Sequence, residues 1–163
     1  MSAKQFEKLI EGLSILIVEE NQHMRKLMRT MLMTIGAKSI YEATDGRAAL
    51  NAIRSVDPDI MLLDWDCPVL SGKQIMKIMR SPGVFTKPGP PVIMLTARAS
   101  RSSVDEAIRL GVHEVLAKPT SPKMLQERLS SILFKPRPMV QIGKYLVPEP
   151  RRIADPNEWG RVA

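Results

Sequence analysis

Residues 60–66 read Ile60-Met61-Leu62-Leu63-Asp64-Trp65-Asp66. Four consecutive apolar residues with no polar alternation describe a strand buried on both faces, the habit of a parallel sheet. The run follows the turn Asp57-Pro58-Asp59 and breaks off at a carboxylate. A strand that ends in Asp-Trp-Asp is leaving the core for an acidic rim.

The same design recurs on either side. Upstream, Leu13-Ser14-Ile15-Leu16-Ile17-Val18 ends in Glu19-Glu20-Asn21. Asn21 is placed to cap a helix, along which Met24, Leu27, Met28, Met31, Leu32 and Ile35 form one apolar face. Gly36 stops that helix. Ser39-Ile40-Tyr41-Glu42-Ala43 is a further strand, and Asp45 caps a helix carrying Ala48, Ala49, Leu50 and Ile53. Downstream, a helix starting near Ser71-Gly72 carries Ile75, Ile78 and Met79. Residues 81–90 hold three prolines and two glycines, which makes them a loop. Pro91-Val92-Ile93-Met94-Leu95 ends in Thr96, and a helix around Val104, Ala107, Ile108 and Leu110 stops at Gly111. Val115-Leu116-Ala117 runs into Lys118-Pro119, and a last helix carries Met124, Leu125, Leu129, Ile132 and Leu133.

Five β–α units in a row predict an α/β fold: a doubly wound, five-stranded parallel sheet with helices on both faces. Residues 1–12 read as a lead-in and 13–134 as the folded unit. Residues 135–163, with five prolines and basic Arg151-Arg152 and Arg161, read as an extended or disordered tail with a short ordered patch around Tyr145.

Composition narrows the function. One cysteine, Cys67, forms no internal disulfide, and with only His23 and His113 it builds no zinc site. No apolar run reaches the ~18 residues that span a bilayer, and the charged segment from Met1 to Glu11 is no secretory signal, so a cytoplasmic location is expected without membrane insertion. The net charge of +7 is spread out with no basic run or aromatic-interleaved stripe, so no nucleic acid is expected as a partner.

The chemistry-bearing side chains follow the strands: Glu19 and Glu20, Asp64 and Asp66, Thr96, and Lys118. In an open parallel sheet the carboxyl ends of strands share one edge, where ligands bind. The set suits phosphoryl transfer to a carboxylate. A carboxylate is a competent nucleophile, acidic neighbours hold a divalent metal that offsets charge, a lysine adds positive charge, and a hydroxyl bonds a phosphoryl oxygen. Ala97 leaves room for the incoming group.

On these residues the chain resembles the receiver domains of response regulators in two-component signalling, in particular single-domain chemotaxis-type receivers. Carrying the likeness are Glu19-Glu20 after ILIV, TDGRAAL, Asp64 after IMLL with Pro68 and Gly72, Thr96-Ala97 after VIML, and Lys118-Pro119 after VLA. It implies the flavodoxin-like strand order 2-1-3-4-5 and phosphorylation of Asp64. Mg2+ would be held by Glu20, Asp64 and the backbone carbonyl of Asp66, with Glu19 acting through water, while Thr96 and Lys118 would contact the phosphoryl group. Asp66 and Arg98 would tune its lifetime and are able to pair across the site mouth. The Lys118-Pro119 bond is expected to be cis. The donor would be a sensor histidine kinase or histidine phosphotransfer protein. A downstream protein would read the face made by the fourth helix, fifth strand and fifth helix of the β–α series, or the phosphoryl group would be relayed onward. Such a receiver is no enzyme beyond its own phosphoryl transfer and autodephosphorylation.

Three positions depart from the family pattern. Glu20 is one methylene longer than the usual Asp. Val115 stands at the switch position, usually aromatic. Cys67 replaces the methionine common before Pro68. The first two motivate an alternative, a degenerate receiver that binds partners without phosphorylation. Asp64-Trp65-Asp66 also resembles the first motif of haloacid-dehalogenase-type phosphatases, but no later acidic cluster follows an apolar strand, and Pro68 stands where those have Thr or Val.

Overall fold

The computed structural model describes residues 2–85 and 88–150. Five strands, β1 (Ser14–Val18), β2 (Ser39–Ala43), β3 (Ile60–Asp64), β4 (Val92–Thr96) and β5 (Glu114–Ala117), form one sheet. Every pairing in it is parallel and the order is β2-β1-β3-β4-β5, the expected doubly wound topology. All five residues of β3 and of β4 are buried, which is why those runs show no polar alternation.

Helices cover both faces. Against one lie α1 (Ala3–Glu11), α2 (Gln22–Thr34) and α6 (Pro122–Phe134), sharing a core built on Ile15, Ile17, Leu62, Ile93 and Leu116. Against the other lie α3 (Gly46–Val56), α4 (Gly72–Arg80) and α5 (Arg101–Arg109), over Leu16, Val18, Met61, Leu63 and Met94. Successive strand residues thus feed opposite cores. The side chains of Asn21, Asp45, Ser71, Ser100 and Ser121 each accept a hydrogen bond from a backbone N–H of the first turn they cap. No helix among the described residues is long and apolar enough to cross a membrane.

Two segments differ from the sequence reading. The lead-in is helical. Ser2 and Gln5 form a capping box at the start of α1, and Phe6 and Ile10 are buried with Met28, Leu32 and Leu129. The start of the tail is ordered well beyond a patch at Tyr145: β6 (Met139–Ile142) and β7 (Tyr145–Pro148) form an antiparallel hairpin. Gly143 supplies a positive φ of 64° at the first of the two turn positions, the place a type II′ hairpin turn reserves for glycine. Tyr145 packs against the α3–α4–α5 core and Val147 is buried. The Arg151-Arg152 pair, Pro156 and Arg161 lie outside the described residues.

Arg80, at the end of α4, is wholly buried. Its guanidinium donates to the carbonyls of Gly111 (3.2 and 3.1 Å), Pro88 (2.6 Å) and Pro90 (2.9 Å). One side chain thereby ties α4, the proline-rich loop and the α5–β5 turn together.

The loop after β3 is braced from behind. Gly46 N–H donates to Pro68 O (3.0 Å), and a Cβ on Gly46 would lie 2.3 Å from Leu70 O, so only glycine fits there. Leu70 N–H in turn donates to Pro68 O (2.9 Å) across Val69, whose φ is 70°. This is a γ-turn, strained for a β-branched residue, and Val69 is 70% exposed, so packing offsets none of the strain. Replacing Val69 by Gly is expected to stabilise the fold by about 0.5–1 kcal/mol. The left-handed penalty of ~1–2 kcal/mol is relieved, less the chain entropy glycine adds. Urea unfolding of both proteins reads the difference; an equal or lower midpoint for the variant refutes the strain.

Candidate functional site

Parallel registration brings the strand ends level. Val18 pairs with Leu63, Asp64 with Leu95 and Thr96 with Ala117. The residues that follow therefore emerge along one edge although they are separated by up to 99 positions in the chain.

At that edge Lys118 bridges two carboxylates. Its Nζ lies 2.8 Å from Glu19 Oε2 and 2.9 Å from Asp64 Oδ1. Glu19, Asp64 and Thr96 are 3%, 6% and 3% exposed, so two acidic groups are buried beside one ammonium. Burial works against the Lys118 charge, but hydrogen bonds and charge from Glu19 and Asp64 outweigh it and raise the lysine's pKa. The Lys118-Pro119 bond is cis, and Lys118 N–H donates to Thr96 O (2.8 Å).

The raised lysine pKa makes a stability prediction with a definite sign. The folded chain holds this proton more tightly than the unfolded one, so the contribution is complete below the ordinary lysine value of ~10.4 and is lost as pH rises through the higher folded value. Urea unfolding followed from pH 8 to 11 is expected to show wild type losing its advantage over Lys118→Met only in the upper part of that range. A constant difference contradicts the ion-pair account.

The remaining contacts orient the acids. Asp66 N–H donates to Asp64 Oδ1 (3.2 Å), which leaves Asp64 Oδ2 without a protein partner among the described residues. Asn21 N–H reaches Glu19 Oε1 (3.3 Å). Arg25 Nη1 donates to the backbone carbonyls of Glu19 (3.0 Å) and Glu20 (3.1 Å). Sequence reasoning missed Arg25. Its only signal is a basic residue on the first turns of the helix that follows the acidic pair. Thr96 Oγ1 accepts from Arg98 N–H (3.2 Å).

Glu20, Asp66 and Arg98 are exposed at the rim, and no ion pair joins Asp66 to Arg98 among the described residues. Val115 is buried in the core under α5. Cys67 is buried and donates to Leu70 O (3.0 Å). Burial first, then the charge of Asp64, pushes its thiol up to about 12, so it stays protonated and is no competing nucleophile at neutral pH.

For a metal, the donors expected from the family pattern would be hard oxygens: the carboxylates of Glu20 and Asp64 and the carbonyl of Asp66. Among the described residues no three His, Cys, Asp or Glu side chains gather as an all-protein cage. Two carboxylates and a carbonyl suit magnesium, which keeps several of its waters.

The fold and this edge together define a doubly wound α/β domain with its acidic and basic groups at the strand ends. The model of the response regulator receiver domain matches residues 15–130, and the chain belongs to that family. Its members are signalling regulators rather than enzymes in the usual sense. The chain is 32% identical over 124 residues to chemotaxis protein CheY-3 of Vibrio cholerae, covering 76% of this chain and 94% of that one. It is 31% identical over 120 residues to chemotaxis protein CheY of Pseudomonas aeruginosa, covering 74% and 95%. Among solved structures it superposes on chemotaxis response regulator CheY4 of Vibrio cholerae with a TM-score of 0.66 at 26% identity, over 74% of this chain and 98% of that one. The Francisella response regulator 1452 receiver domain gives 0.66 at 29% identity, over 76% and 98%.

Proposed function

We propose that the chain is a cytoplasmic receiver that takes a phosphoryl group onto Asp64 from the phosphohistidine of a sensor kinase or a histidine phosphotransfer protein. The signal then passes by phosphorylation-dependent binding of a downstream protein, through the face of α5, β5 and α6, or by relay of the phosphoryl group. The observation that carries this reading is the Lys118 ammonium within 2.9 Å of a buried Asp64 whose second carboxylate oxygen has no protein partner among the described residues.

In the transfer, Asp64 Oδ2 attacks phosphorus as the phosphorus–nitrogen bond to the donor imidazole breaks. The imidazole nitrogen leaves with the bond pair and is protonated from solvent. The product is an acyl phosphate. Lys118 gives up part of its contact with Asp64 to face the new phosphoryl oxygens, so its charge is used twice. The Thr96 hydroxyl donates to a phosphoryl oxygen, and the small Ala97 leaves the approach open. Magnesium, held by Glu20, Asp64, the Asp66 carbonyl and, through water, Glu19, would supply the positive charge that lets one anion approach another. Asp66 and Arg98 flank the attached group and set how readily water reaches it in autodephosphorylation.

Labelling with acetyl phosphate tests the metal requirement. Uptake of one phosphoryl group per chain is expected with millimolar magnesium, followed by intact mass; it should be lost with excess EDTA and return when magnesium is restored. Equal labelling with and without EDTA refutes the metal role. The phosphorylation-independent reading, prompted by Glu20 and Val115, predicts no labelling under any of these conditions.

A further inference from the structure

The β6–β7 hairpin is built against the turn that follows α5. The helix itself is lightly held. Residues 97–100, which join Thr96 to its first turn, are all exposed, and within α5 only Ala107 is buried. Its firm attachment lies at the other end, where Leu110 and Val112 enter the core and Gly111 turns the chain with φ 96°.

The hairpin is seated on that end. A Cβ on Gly111 would meet Leu146 O of β7 at 2.9 Å and the Arg80 side chain at 2.8 Å. The hairpin backbone and the buried arginine thus close on the same glycine from two sides. Val147 is 4% exposed, and β7 lies against α4. At the base of the hairpin, Glu149 N–H donates to Pro138 O (2.8 Å). Arg137 Nη2 donates to His113 O (3.0 Å), immediately before β5. So α5 is joined through residues 97–100 to the hydroxyl expected to meet the phosphoryl group, and the turn that follows it, at Gly111, is closed by the hairpin.

We infer that the hairpin of residues 139–148 is an intramolecular strap that, while docked on the α5–β5 turn, opposes phosphorylation of Asp64 by holding α5 in the arrangement where Thr96 Oγ1 accepts from Arg98 N–H. This rests on the phosphoacceptor reading. Redirecting the Thr96 hydroxyl to a phosphoryl oxygen pulls on residues 97–100 and on α5. A helix pinned at Gly111 resists, and the resistance falls when β7 lifts. Because coupling between two sites is reciprocal, a phosphoryl group must loosen the hairpin by the factor with which the hairpin weakens phosphorylation.

Hydrogen exchange on the full chain, with and without magnesium and beryllofluoride as the acyl-phosphate mimic, measures one direction. Peptides from residues 139–148 are expected to exchange about five-fold faster or more with the mimic bound. Slower exchange at the peptides carrying Asp64 and Thr96 reports that it has bound. Beryllofluoride affinity of Val147→Asp, which puts a charge under β7, measures the other and is expected to be tighter by the same factor. Binding with no change, or with slower exchange, at residues 139–148 overturns the strap while leaving Asp64 as acceptor. Absence of any binding overturns both readings. If Val147→Asp does not fold, exchange in the wild type decides alone.

Discussion

Asp64→Asn is expected to abolish phosphoryl uptake from acetyl phosphate while leaving the fold intact. The amide has nearly the shape of the carboxylate, so the buried space beside Glu19 stays filled. It carries no negative charge and offers a carbonyl oxygen far less nucleophilic than a carboxylate. Lys118 keeps Glu19 at 2.8 Å as a partner, so no buried ammonium is stranded. Intact mass of both proteins after the same incubation gives the result: one phosphoryl group on the wild type and none on the variant. Equal labelling of the variant removes Asp64 from its role.

Arg80→Met is expected to cost about 3 kcal/mol of stability. Replacing a buried charge by an apolar side chain is often neutral when its partner is replaced too. Here the partners are backbone carbonyls of Gly111, Pro88 and Pro90, which no side-chain substitution removes. Each orphaned acceptor costs roughly 1–3 kcal/mol, reduced where water enters. Burial lowers the guanidinium pKa to about 9, so at neutral pH the variant gives up charge-assisted hydrogen bonds rather than neutral ones. Arg80→Lys, with a single nitrogen at its end, cannot reach three carbonyls at once and is expected to recover less than half of the loss. Urea unfolding of the three proteins measures this. A variant within ~0.5 kcal/mol of wild type would show that the three carbonyls find other donors.

The sheet was legible because β3 and β4 are buried on both sides. Ile60-Met61-Leu62-Leu63 and Val92-Ile93-Met94-Leu95 leave no polar alternation to misread, and Asp64 and Thr96 mark where each strand ends. The convergence of Glu19, Asp64 and Lys118 followed from the rule that parallel strands end at one edge. Their division of labour did not. Adjacent glutamates look alike in a sequence, yet past the end of β1 Glu19 stays buried against Lys118 while Glu20, one residue on in the bend, is exposed at the rim.

Arg80 was illegible for a different reason. Its acceptors are main-chain carbonyls, which have no residue type, so the arginine reads as a solvated charge at a helix end. In the tail, the prolines suggested an extended chain. Pro138 and Pro148 instead bound the hairpin, and Gly143 between Ile142 and Tyr145 was the signal that turns it. In the first segment, Ser2 and Gln5 with Phe6 and Ile10 four residues apart carry a capped helix with one short apolar stripe, a pattern too brief to stand out among Lys4, Glu7, Lys8 and Glu11.

The most direct test of an acyl phosphate at the strand edge is reductive trapping. Protein incubated with acetyl phosphate and magnesium is treated with borohydride, which converts an aspartyl phosphate to homoserine, then digested and sequenced by mass spectrometry. Homoserine at position 64 and nowhere else is the predicted outcome. Homoserine at another acidic residue, or a phosphoryl group that survives borohydride unchanged, would contradict the account.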